Sequence, residues 1–200
     1  MAKSSYLLTE GTVWKRIVRF AVPVFIGQLF QQLYNTVDSL IVGRLIGTSA
    51  LAAVTATGSI IFLIVGFFMG FSMGAGVVIA RDIGSGDERA VSRSVHTTVA
   101  MGLVASVIMT ALGVLMTPHI LHWMDTPTDV FPEAAAYLRV YFAGCTGLVF
   151  YNLLVGILQA SGDSQHPLYY LIFSSVLNAV LDYSFIRFLH MGVEGAALAT

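Results

Sequence analysis

The sequence predicts an all-α fold: a polytopic bundle of transmembrane helices. Three observations carry this reading. Of the 200 residues, 56% are hydrophobic and 10% charged, against about 25% charged in a soluble domain, so a soluble fold of this size would leave its surface uncovered. The apolar sequence falls into long charge-free intervals: Phe20 to Val37, Leu45 to Ala80, Ser94 to Met124, Val140 to Gly162 and Ser164 to Leu181. Runs such as Ile60-Ile61-Phe62-Leu63-Ile64-Val65 lack the period-2 alternation of a membrane strand.

A helix needs about 20 mainly apolar residues to cross roughly 30 Å of hydrocarbon. Five spans fit, near residues 15–42, 51–80, 94–117, 134–160 and 167–189. The first contains Pro23, with Gly27 four residues on. A proline there removes a backbone hydrogen bond and makes either a static kink or a hinge. In the second, Gly66, Gly70, Gly74 and Gly76 form overlapping small-xxx-small patterns, which predict close helix packing. After the third comes a loop with Pro118, Pro127 and Pro132 that carries His119, His122 and Asp125. The two histidines at i, i+3 read as part of a polar interfacial loop in preference to a metal site. The lone cysteine, Cys145, lies in the fourth span and is expected to be a small packing residue. From Gly192 onward nine residues remain, about 14 Å of helix. The expectation is a sixth helix that is cut short, in a fragment of a longer protein built from two repeats.

Charge sets the expected orientation and excludes one class of partner. Ten Lys+Arg against eleven Asp+Glu leave no basic field for nucleic acid. Lys3, Lys15, Arg16, Arg19, Arg81, Arg89 and Arg93 fall on one side of the predicted spans. Arg44 and Arg187 fall on the other, with Arg139 just inside the fourth. The positive-inside rule then predicts a cytoplasmic N-terminus in a multi-pass cell-membrane protein. No cleavable signal peptide is expected, because the first apolar run leads into Asp38 instead of a cleavage site.

Ionisable residues within the hydrocarbon are costly and mark function by default. Asp38 lies 19 residues beyond Arg19, about 28 Å along a helix. Asp182 lies 15 residues beyond Pro167, about 22 Å up from the same side. Thr200, descending from Gly192, falls near the same level. Asn178 and Asp182 share a helix face at i, i+4, as do Tyr34 and Asp38, with Gln31 and Asn35 as further amides. The bland alternative places Asp38 at the outer interface and makes Asn178 ordinary interhelical glue. Two carboxylates at matched depth make a proton or sodium site the sharper reading, since neighbouring carboxylates resist simultaneous ionisation.

The stretch Asn35-Thr36-Val37-Asp38 through Gly43-Arg44-Leu45-Ile46-Gly47 resembles the first helix of the multidrug and toxic compound extrusion (MATE) family. Gly70-Phe71-Ser72-Met73-Gly74-Ala75-Gly76, running to Ala80-Arg81 and Gly84-Ser85-Gly86-Asp87, is similar to that family's second helix and loop. Leu158-Gln159-Ala160-Ser161-Gly162-Asp163 and Gly192-Val193-Glu194-Gly195-Ala196-Ala197 also resemble family segments. The resemblance implies the N-terminal six-helix lobe of a twelve-helix, two-lobe transporter, with the C-terminal lobe absent. It implies an ion-coupled antiporter, not an enzyme, that exports cationic amphipathic compounds by alternating access and needs no cofactor beyond its coupling ion. By resemblance, the ion-coupling positions fall on Asp38, Tyr34, Asn178, Asp182 and Thr200, and the bending proline on Pro23. A sodium ion would draw on Asp38, Asn178, Asp182 and Thr200, whereas a proton needs only one carboxylate.

Two rivals remain at this stage. A lipid-linked oligosaccharide flippase of the same superfamily would hold anionic headgroups with Arg and Lys, but the helix interiors carry Asp. An intramembrane aspartyl protease needs a Gly-x-Gly-Asp motif, which Gly84-Ser85-Gly86-Asp87 matches formally within a charged loop.

Overall fold

The computed structural model describes residues 12–200; Lys3, one of the cations used for orientation, lies outside them. The described residues form seven helices: α1 (Val13–Leu45), α2 (Thr48–Ser85), α3 (Glu88–Trp123), α4 (Phe131–Ala143), α5 (Cys145–Ala160), α6 (Gln165–Arg187) and α7 (Gly192–Ala199). The all-α expectation holds. Phe62, Met73, Leu115 and Phe173 are each at least 70% exposed, an arrangement suited to lipid and unsuited to water.

Among the described residues, α2, α3 and α6 are long and apolar enough to cross a membrane, and α4 with α5 makes a fourth, bent span. Although its 33 residues cover about 50 Å, α1 falls short on apolarity. Its middle carries Gln28, Gln31, Gln32, Asn35 and Asp38.

Several boundaries differ from the expected spans. The helix expected over 134–160 is two helices, α4 and α5, meeting at Gly144 with a bend of 50°. Gly144 is the joint and Gly147 follows in the first turn of α5, and glycine is a poor helix former. The second and third helices run past their expected ends, because charged residues continue a helix once it leaves the hydrocarbon. Pro118, His119 and His122, expected in a loop, belong to the last turns of α3. The glycine stripe of α2 also differs. A Cβ at Gly66, Gly70 or Gly74 would meet nothing within 4 Å, and only Gly76 lies against another helix, facing the carbonyl of Gly156.

The close crossings lie elsewhere. A Cβ on Gly156 would sit 2.2 Å from Ser72 Oγ, and that hydroxyl donates to the Asn152 carbonyl at 2.6 Å. The glycine lets α5 seat on α2 while the serine hydroxyl keeps a partner. Gly113 of α3 likewise makes room for the Phe142 ring.

Two apolar clusters hold the bundle. One joins α2, α3, α4 and α5 around Phe68, Leu121, Leu138, Phe142, Val149 and Leu153, and includes Cys145 as a buried packing residue. The other joins α1, α2, α4, α6 and α7 through Val42, Ala50, Tyr137, Ile186, Val193 and Ala196. Val42 lies one turn beyond Asp38, and Ile186 one turn beyond Asp182. The second cluster is therefore the floor on which both carboxylates are positioned.

Candidate functional site

The parallel course of α1 and α6, with Gly27 beside Leu168 and Leu171 and Val42 in one cluster with Ile186, brings Asp38 and Asp182 together. Asp38 is 8% exposed, Asp182 is fully buried and Asn178 is 6% exposed. The two carboxyl groups lie within hydrogen-bonding reach of each other. Neither can donate while ionised, so a bond between them exists only when one carries a proton. Asp38 Oδ1 and both oxygens of Asp182 are buried with no hydrogen-bond donor. Buried carboxylate oxygens without donors are rare in native structures and call for a ligand or a proton. Every other buried polar side chain described is neutral, so no Lys or Arg among them compensates the pair.

The remaining expected residues converge on the same place. Asn178 Nδ2 lies 3.5 Å from Thr200 Oγ1, and that hydroxyl donates to the Ala196 carbonyl at 3.0 Å. Tyr34, one turn before Asp38, lies close to Thr200 and to both aspartates. Asp38, Asp182, Asn178, Thr200 and Tyr34 thus form one cluster from α1, α6 and the residue following α7. Asn35 does not join them; it is exposed on α1.

Two residues of the site escaped sequence reasoning. Tyr137 and Tyr141 of α4 are buried and stacked at 6.4 Å. Tyr137 lies near Asp38, Asp182 and Tyr34, and Tyr141 near Tyr34. The available signal was a tyrosine pair at i, i+4 in an apolar span, where each hydroxyl needs a polar partner.

Chemically, the cluster offers two carboxylates, an amide and a threonine hydroxyl walled by tyrosines. Among the described residues no group of three His, Cys, Asp or Glu is placed to hold a metal ion. A sodium ion here would therefore combine the two carboxylates with neutral oxygens.

Pro23 lies 15 residues before Asp38, within an unbroken helix. Only Asp38 and Val42 of α1 are buried. Around Pro23 the side chains are half-buried or exposed, and Gly27 lies against Leu168 and Leu171 of α6.

The formal protease motif is something else. Gly86 closes α2 in the left-handed region (φ 74°), and Asp87 caps α3 by accepting from the Arg89 and Ala90 amides at 3.0 Å. Asp87 is an exposed helix cap.

Comparison with known proteins decides the family. The MatE family profile matches residues 23–184. The chain belongs to the MATE family. It is 31% identical over 196 residues to the probable multidrug resistance protein YpnP of Bacillus subtilis, covering 98% of this chain and 44% of YpnP. Solved structures of a MATE protein in the straight and bent conformations are each 32% identical. They match with TM-scores of 0.90 and 0.91, covering 100% of this chain and 44% of theirs. The chain thus spans less than half the length of the relatives it matches, and its bundle corresponds to a half-lobe of a full-length MATE transporter.

Proposed function

We propose that this chain forms the ion-coupling part of a MATE multidrug antiporter, with Asp38 and Asp182 as one cation site. The observation that carries the reading is the pair of buried carboxylates whose oxygens lack donors. Such a site is stable when it holds a proton or a sodium ion and unfavourable when empty and doubly charged. An occupant that relieves this charge is a source of free energy for moving α1.

The positioning of α1 supports the coupling. Asp38 meets the cation while Val42 holds the helix end in the second cluster. Pro23 removes the amide that would otherwise bond the Arg19 carbonyl, in the part of α1 that has no fully buried residue. Cation binding at Asp38 and Asp182 shifts the anchored segment, and Pro23 lets the remainder bend independently. That solved MATE structures exist in straight and bent conformations fits a family with two such states. The cargo is a cationic amphipathic compound, because the buried charges described here are both acidic; a flippase for anionic headgroups would need buried cations. The N-terminus faces the cytoplasm, following the Lys and Arg distribution.

The test is drug efflux from vesicles containing the full-length transporter, with sodium and pH gradients imposed separately. One gradient alone should drive efflux. Efflux that needs neither gradient, or that consumes a nucleotide, would overturn the proposal.

A further inference from the structure

A basic stripe on α3 remains unexplained by ion coupling. Glu88, Arg89, Ser92, Arg93, His96 and Thr97 line an open groove of about 500 Å³, all on one helix. Arg89, Arg93 and His96 are exposed. Neither guanidinium forms an ion pair among the described residues. His96 Nδ1 lies 2.7 Å from the Ser92 carbonyl, so it carries the hydrogen and fixes the ring. In the neutral ring that leaves Nε2 as an acceptor, so the donors to an anion here are the two guanidinium groups. The free amides at the start of α3 are already capped by Asp87, so any ligand of the groove is held by side chains.

The position of the stripe defines the ligand. Arg93 is the last formal charge before the interval Ser94 to Met124. The groove therefore sits where α3 enters the hydrocarbon, at headgroup level. The face continues inward at the same 4-3-4 spacing through Ala100, Leu103 and Val107, with Val104 alongside, all exposed; Leu103, Val104 and Val107 are 49%, 60% and 57% exposed. A cationic groove joined to an unpartnered apolar face matches one molecule of anionic phospholipid: phosphate above, acyl chain below.

We infer that this face of α3 is a binding site for an anionic phospholipid, its phosphate held by Arg89 and Arg93 and an acyl chain laid along Leu103, Val104 and Val107. Glu88 opposes the phosphate from the groove's rim and limits its affinity.

Native mass spectrometry of the full-length protein, with phosphatidylglycerol or phosphatidylcholine added in detergent, tests this. Retained phosphatidylglycerol adducts should exceed phosphatidylcholine adducts. Arg89→Gln with Arg93→Gln should weaken retention by about thirtyfold, the effect of two interfacial cations. Arg89→Lys with Arg93→Lys should keep most of it, and this pair controls for folding. Glu88→Gln should tighten binding, and Val104→Ser should weaken it without changing headgroup preference. Equal retention of the two lipids, or unchanged retention in the glutamine pair, would overturn the site. So would displacement by millimolar inorganic phosphate, which would indicate a soluble anion.

Discussion

Asp38→Asn should stabilise the protein while disabling it. In the wild type, Asp182 is fully buried and neither of its oxygens has a donor. A buried unsatisfied polar atom costs about 1–3 kcal/mol, more when charged. Asn at position 38 keeps the shape, removes one charge and presents an amide N–H to the facing carboxylate. A hydrogen bond to a charged group contributes about 1.5–3 kcal/mol, so a gain of about 2 kcal/mol is expected under conditions that leave both wild-type carboxyls ionised. When the wild-type pair shares a proton it already has its hydrogen bond, and the gain should shrink towards zero. The sign is therefore fixed: the advantage of Asp38→Asn grows at alkaline pH and fades in acid. Thermal unfolding of the detergent-solubilised full-length protein across that pH range, alongside ion-driven efflux, measures both halves. Loss of stability at alkaline pH would refute the reasoning, because it would mean that the carboxylate is satisfied in the native state.

Pro23→Ala restores a helical hydrogen bond and should lower efflux with expression and folding retained; unchanged turnover would reduce Pro23 to a packing feature. A cysteine near Ser85 should be labelled only from the cytoplasm and one near Thr126 only from outside; the reverse pattern would invert the topology. Gly113→Ala places a Cβ 1.9 Å from the Phe142 ring, which is fully packed at 2% exposure. It should destabilise by about 1–3 kcal/mol in a thermal-unfolding assay, whereas Gly70→Ala, with open space around it, should be neutral.

The site was more legible in the sequence than the packing. Asp38 and Asp182 announced themselves because a charge within an apolar span has few bland explanations, and helix rise converted their positions into matching depths. Tyr34, Asn178 and Thr200 followed from one-turn spacing or from resemblance. Tyr137 and Tyr141 did not, since a tyrosine in an apolar helix is equally at home at the interface. The break at Gly144 was invisible for a related reason: the interval Val140 to Gly162 carries no charge, so hydropathy reads straight through a bend. Small-residue spacing misled at Gly66, Gly70 and Gly74, because it reports that a backbone can be approached and not that a neighbour is there. Gly156 and Gly113, which the structure does require, stand at the same spacing from Ala160 and Thr117, so the pattern does not separate the crossings that exist from those that do not.

The central claim is that one buried carboxylate pair links cation binding to drug binding. Antiport requires the two ligands to compete, and linkage makes the competition reciprocal. The most direct measurement is the drug's Kd for the purified full-length transporter, titrated against sodium and against pH. It should be made for the wild type, Asp38→Asn, Asp182→Asn and the double variant. The wild-type Kd should weaken as the coupling cation rises. Each single variant should bind drug with that dependence abolished, and the double should resemble either single, because residues acting as a unit are non-additive. A cation dependence that survives in either single variant would remove that aspartate from the coupling site and contradict the account.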